Sequence, residues 1–280
     1  MRLFIYTTLA LLAFAANSLL CRLALAEEQI EPIPFTLIRL CAAALLLTLL
    51  VRPSLIDIKK ETLSIKAHLL SGGSLALYAI CFSLAYISMD TGMGALVLFA
   101  TIQIVLNIVA QLLGEKVNKG IVVGITLAFS GLVLLLLPGQ SAPDISSAII
   151  MMIAGIGWAG FVYSGRNSQD PLGDVALSFR WALILSTPLL FWADWQQSSG
   201  IGILLAVISG ALASGLGYAL WYKVLPQLGL QTAAQAQLVV PVFATIMGVV
   251  FLAEQISLIM ILASALILIG ITIAIRAKAK

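Results

Sequence analysis

Few side chains in this sequence could do chemistry, and most of them sit inside long apolar runs. Gln103, Asn107 and Gln111 recur every fourth residue, which stacks three amides on one face of a helix. Gln231 and Gln235 repeat that spacing, with Gln237 beside them. Asn17, Tyr78, Trp158 and Tyr218 add further hydrogen-bonding groups within apolar stretches. Amides and polar aromatic rings bind rather than cleave; together they suit a polar or amphiphilic cargo. Acid–base or metal catalysis would need a cluster of His, Asp, Glu or Cys. Here there is one histidine, His68, and no Asp or Glu falls near the centre of an apolar run. Cys21, Cys41 and Cys81 are odd in number and form no CxxC pair, so they read as small packing residues. Gly155, Gly157 and Gly160 fit GxGxxG, but a dinucleotide site needs strand, turn and helix in sequence. These glycines lie within one apolar run, where they permit close helix contact. No cofactor, metal or enzymatic activity is expected.

Each polar residue has two readings. Gln103 and Gln235, with Asn107, line a pathway and hydrogen-bond a substrate, or they join helices within the bundle. Asn17 contacts substrate or caps a packing contact. Tyr78, Trp158 and Tyr218 receive a ligand, or serve as packing and interface anchors. Arg39 and Arg180 stand about five residues inside apolar runs, where their stems can snorkel to opposite faces. That favours a structural role over an anion site. Glu115 and Glu254 close matching segments and read as boundary or gate residues. His68 reads as interfacial. Pro241 removes a backbone hydrogen bond in mid-segment, so a hinge is expected there.

The elements that position these residues follow from composition. The chain has 280 residues, 61% hydrophobic and 10% charged, with a mean hydropathy of +1.11. A water-soluble chain of this size could not hide so much apolar surface. Its net charge of +3 is too small to argue for nucleic acid. Ten segments are apolar over about 20 residues, the length that crosses a bilayer: roughly 3–26, 34–51, 67–88, 91–113, 120–138, 145–165, 174–193, 200–222, 229–252 and 256–275. Ala24-Leu25-Ala26 before Glu27 resembles a cleavage site, but Asn17 and Arg22 interrupt the run and it exceeds a signal core. A retained first span is expected. With both termini in the cytoplasm, the inner segments hold Arg2, Arg52, Lys59, Lys60, Lys66, Lys116, Lys119, Arg166, Lys223, Arg276, Lys278 and Lys280. The outer loops then hold no Lys or Arg, as the positive-inside rule requires.

The halves echo each other. Phe14-Ala15-Ala16 leading to Arg22 matches Trp158-Ala159-Gly160 leading to Arg166. Arg39 matches Arg180, Tyr78 matches Tyr218, Phe82 matches Tyr222, Glu115 matches Glu254 and Gly131 matches Gly270. Successive spacings from Arg22 are 17, 39, 37 and 16; from Arg166 they are 14, 38, 36 and 16. Five spans per half forces the second copy to sit inverted, an arrangement typical of secondary transporters. The expected division is 1–140 and 141–280.

At these residues the sequence resembles the drug/metabolite transporter superfamily, specifically its EamA-type members. The resemblance is carried by "LLAFAANSLLCRLAL", "PFTLIRLCAAALLL", "LYAICFSLAYISMDTGMGALVLFATIQIVLNIVAQLLGEKV" and "GYALWYKVLPQLGLQTAAQAQLVVPVFATIMGVVFLAEQIS". It implies an all-α membrane protein with ten transmembrane helices as two inverted five-helix repeats around a central cavity. Spans one, three, four, six, eight and nine would line that cavity. Phe14 departs from the pattern, standing where such proteins often carry Trp. The resemblance further implies export of small amphiphilic metabolites, such as amino acids or drugs, across the cell inner membrane. A nucleotide-sugar or lipid-linked cargo is the alternative within the superfamily. Expected partners are the substrate and the lipid bilayer, with a homodimer left open.

Overall fold

Long apolar runs without internal breakers fold as helices, and their ends carry recognisable caps. The computed structural model describes residues 1–51, 65–114, 118–137, 143–166 and 168–278, without the side chains of 65, 226, 229–235 and 278. Its helices are α1 (Arg2–Ala26), α2 (Pro32–Leu50), α3 (Ile65–Ala85), α4 (Thr91–Leu112), α5 (Lys119–Leu136) and α6 (Ile145–Gly165). Then come α7 (Pro171–Ser186), which tightens into a 3₁₀ stretch at Thr187–Trp192, and α8 (Gly200–Ile208). A π-helical segment (Ser209–Leu216) follows, then α9 (Gly217–Gln237), α10 (Val239–Leu252) and α11 (Leu258–Lys278). Proline opens α2 and α7, where a missing N–H costs nothing. Asn118, Asp144, Asp170 and Ser199 cap α5, α6, α7 and α8 through their side-chain oxygens.

Among the described residues, nine helical stretches are long and apolar enough to span a membrane, and Val239–Leu252 is a shorter apolar helix. Large apolar side chains such as Leu49, Phe251 and Leu258 point outward, at 80%, 66% and 70% exposure. In water that girdle would be a large unfavourable surface; against acyl chains it is the matching one. The protein is a multi-pass all-α membrane protein.

Nine of the ten expected spans stand close to their expected places. The break expected between 222 and 229 does not. Helical backbone runs on through Gln237, and the interruption falls at Leu238. Leucine, glutamine and alanine dominate Leu228–Gln237 and are good helix formers, so local propensity carries the helix past the expected turn. Val240 and Ala244 of α10 nevertheless pack in one cluster with Trp221 and Val224 of α9. The helical path therefore doubles back between them. Pro241 lies in the first turn of α10, where it breaks no intrahelical bond, three residues after that interruption.

Most of the larger helix pairings recur when each helix is exchanged for the one expected to match it in the other half. α3 packs on α6, and its exchange partner, the α8–π–α9 unit, packs on α1. α4 packs on α6 as α10 packs on α1, and α3 packs on α7 as the π segment packs on α2. The pairs α2–α7, α4–α10 and α5–α11 map onto themselves. Gly155 and Gly157 of the GxGxxG match sit against α4 and α3, where any Cβ would strike backbone or Thr101. They are packing glycines.

Candidate functional site

Four of the residues singled out by sequence meet at one place. Asn17 of α1, Tyr78 of α3, Trp158 of α6 and Tyr218 of α9 line a single cavity in the bundle interior. Around them stand Phe14, Ser18, Arg39, Phe82, Phe99, Phe179, Ser214 and Gln237. The rings form a linked box. Tyr78 meets Trp158 edge-on at 4.6 Å between centroids, and Phe14 meets Tyr218 edge-on at 5.4 Å. These two pairs exchange when the halves are exchanged. Trp158 and Tyr218 join them at 5.7 Å. The space open to the centre of a water-sized sphere is ≈ 40 Å³, room for about three waters. A molecule larger than a few waters would fit only if the walls moved apart.

Asn17 is held at both ends of its amide. Its Nδ2 donates to the Tyr78 hydroxyl at 3.3 Å, and its Oδ1 accepts from the Ser209 hydroxyl at 2.6 Å. Ser209 opens the π segment, and Gly210 beside it lets that segment press against the backbone of α2 at Arg39. Wide π turns of this kind recur at functional sites. Here they deliver Ala213, Ser214 and then Tyr218 to the cavity.

Arg39 corrects an expectation. Its stem does not snorkel: the residue is 2% exposed and turns into the cavity wall. The guanidinium lies 5.5 Å from the Tyr78 ring centroid and 5.1 Å from that of Phe82. Nη2 donates to the Ala79 carbonyl at 3.3 Å, while Nη1 has no partner. Arginine at the centre of a spanning helix costs roughly 2.5–3.5 kcal/mol on insertion-based scales. The ring faces and one carbonyl offset part of that cost. Sequence signalled the residue but not its direction, because the same long stem reaches water or turns inward.

The amide stripe of α4 lies elsewhere. The buried residues of α4 end at Ile102. Gln103 and Asn107 are half-buried beyond the cavity, and Gln111 is exposed. Asn107 donates to the Gln103 carbonyl at 2.8 Å, within its own helix. The side chains of Gln231 and Gln235, and all of Glu115, lie outside the described residues. Gln237, noted in the sequence only as a neighbour of those two, joins Asn17 as an amide at the cavity wall. His68 is buried near the start of α3 rather than exposed at an interface.

A second polar cluster closes one end of the bundle. The Glu254 carboxylate accepts from the Thr91 backbone N–H at 2.8 and 3.0 Å and from the Thr91 hydroxyl at 2.8 Å. It thereby caps the start of α4, whose own N-cap residue, Asp90, makes no side-chain cap. Arg22 lies 3.9 Å from Glu254 and 3.7 Å from Asp90, and donates to the Ile87 carbonyl at 2.6 Å. Ala253 adopts a left-handed conformation that turns Glu254 back over α4. Burial pushes the Glu254 carboxyl above its usual range, against the pull of Thr91 and Arg22 toward the ionised form.

Comparison with known proteins agrees with this architecture. The model of the EamA-like transporter family matches residues 145–276. An "Uncharacterized protein" of Pseudomonas aeruginosa is 40% identical over 91% of this chain and 88% of its own. An "Uncharacterized transporter" of Archaeoglobus fulgidus is 26% identical over 72% of this chain and 74% of its own. A solved crystal structure with 18% identity superposes with a TM-score of 0.67, covering 98% of this chain and 99% of that one, which establishes a shared fold. With its helices, its cavity and these relatives, the chain belongs to the EamA-like transporter family.

Proposed function

We propose that this protein is a secondary transporter that exports small amphiphilic metabolites, such as amino acids, related compounds or drugs, across the cytoplasmic membrane by alternating access. The observation that carries the reading is the cavity walled by two exchange-related ring pairs, Tyr78–Trp158 and Phe14–Tyr218. Residues 1–140 and 141–280 act as inverted repeats that rock about this cavity. Both termini face the cytoplasm. The cluster of Arg22, Asp90, Thr91 and Glu254 then shuts the outer side, while Gln103 and Asn107 line the inner entrance, with a hinge at Leu238–Pro241. A wall of rings, amides and one guanidinium, with no acid–base constellation at the cavity, supports carriage rather than catalysis.

The test is an efflux panel of amino acids and drugs in cells overexpressing wild type, Trp158→Ala or Tyr218→Ala. Wild type should lower the accumulation of at least one compound, and each variant should slow that efflux by about fivefold or more, as expected when a ring contact worth about 1 kcal/mol is removed. Variants that export at the wild-type rate would remove this cavity from the pathway.

A further inference from the structure

We infer that the cargo is an anion: a small organic acid without an ammonium group, its carboxylate paired with Arg39 and its apolar body among the rings. This rests on the carrier function proposed above and narrows its cargo to one chemical class, which leaves amino acids outside it. A guanidinium does not shed its proton, so Arg39 keeps its charge wherever it lies. It is 2% exposed and its Nη1 has no hydrogen-bond partner. No Asp or Glu lines the cavity, and both ion pairs among the described residues belong to Arg22. The positive charge therefore has no counter-charge from the described chain. The cavity's other unpartnered polar atom, the Tyr218 hydroxyl, can donate as well. Two orphaned donors, one of them charged, call for an acceptor, and a carboxylate matches the guanidinium fork. An ammonium would face Arg39 with no acid to receive it, which excludes cations and disfavours zwitterions. The seven aromatic rings that wall the cavity then suit a planar or apolar body.

The experiment uses the purified full chain and three matched probes: phenylacetate, phenylacetamide and 2-phenylethylammonium. Equilibrium binding should favour the acid over the other two by at least about tenfold, the margin of a desolvated charge-assisted pair. Arg39→Gln should abolish this preference by weakening the acid alone. Arg39→Lys, which keeps the charge and loses the fork, should retain a reduced preference. Should Arg39→Gln aggregate on gel filtration, Arg39→Lys decides, and an unreduced preference overturns the inference. Equal or tighter binding of the amide or the amine to wild type, or no binding of the acid, overturns it too. Counterflow in proteoliposomes separates the two proposals. Acid that binds but is never moved leaves the anion site and removes the carrier; movement of the amide or amine alone does the reverse.

Discussion

Asn17 ties α1 to α3 and to the π segment with one side chain, and its cost in hydrocarbon was what marked it in the sequence. Tyr78, Trp158 and Tyr218 were legible for a related reason, since each falls at a position that recurs in the other half. Arg39 was visible but misdirected, because nothing in one sequence distinguishes a stem that reaches for water from one that turns inward. Glu254 was marked as a boundary or gate, and its partners, Thr91 and Arg22, come from distant segments that only the fold brings together. Its protonation carries a prediction. The folded chain holds the Glu254 proton more tightly than the unfolded chain, since burial raises the carboxyl. That contribution to stability is complete below the unfolded carboxylate range and lost as pH rises through the raised value. The Tm of wild type should fall across that window, and that of Glu254→Gln should not. Parallel pH profiles for the two proteins would remove Glu254 as the titrating group.

At the scale of the element, the spans were legible because roughly 20 apolar residues in hydrocarbon can satisfy their backbone only as helix. Three features were not. The helix continues through Leu228–Gln237 because its residues favour helix, so the return path appears only in the cluster that Val240 shares with Trp221. The stripe of Gln103, Asn107 and Gln111 has the spacing of a cavity wall, yet α4 is buried only as far as Ile102. Periodicity identifies a face; it does not tell how far along the helix a neighbour covers it. The π segment was invisible for a different reason, since Ser209–Leu216 looks like any run of small and apolar residues. Its position depends on Gly210, where a Cβ would overlap the Arg39 carbonyl. Gly210→Val should push the segment off α2 and destabilise the protein by about 1–3 kcal/mol or more. Thermal denaturation in detergent reads this directly. A Tm equal to that of wild type would mean that the close approach is dispensable.

At the scale of the whole molecule, the exchange pattern of helix pairs accounts for both the cavity and its closed state. Under the proposed alternating access, the two halves trade roles without breaking the α5–α11 and α2–α7 contacts. One end is held by the Glu254 cluster, and the other carries Lys223 over the Tyr6 ring and Asn118 on the Ala277 carbonyl. With ≈ 40 Å³ left between the walls, the cavity of this state admits water and little else. The proposed alternating access requires that the same cavity open to each side in turn. The direct measurement is the accessibility of Ser214→Cys, a near-isosteric change in the cavity wall, in a chain whose Cys21, Cys41 and Cys81 are replaced by serine. A membrane-impermeant maleimide is applied to right-side-out and to inside-out vesicles. The account predicts labelling from both sides, slowed by a transported compound; labelling from one side only, or from neither, would contradict it.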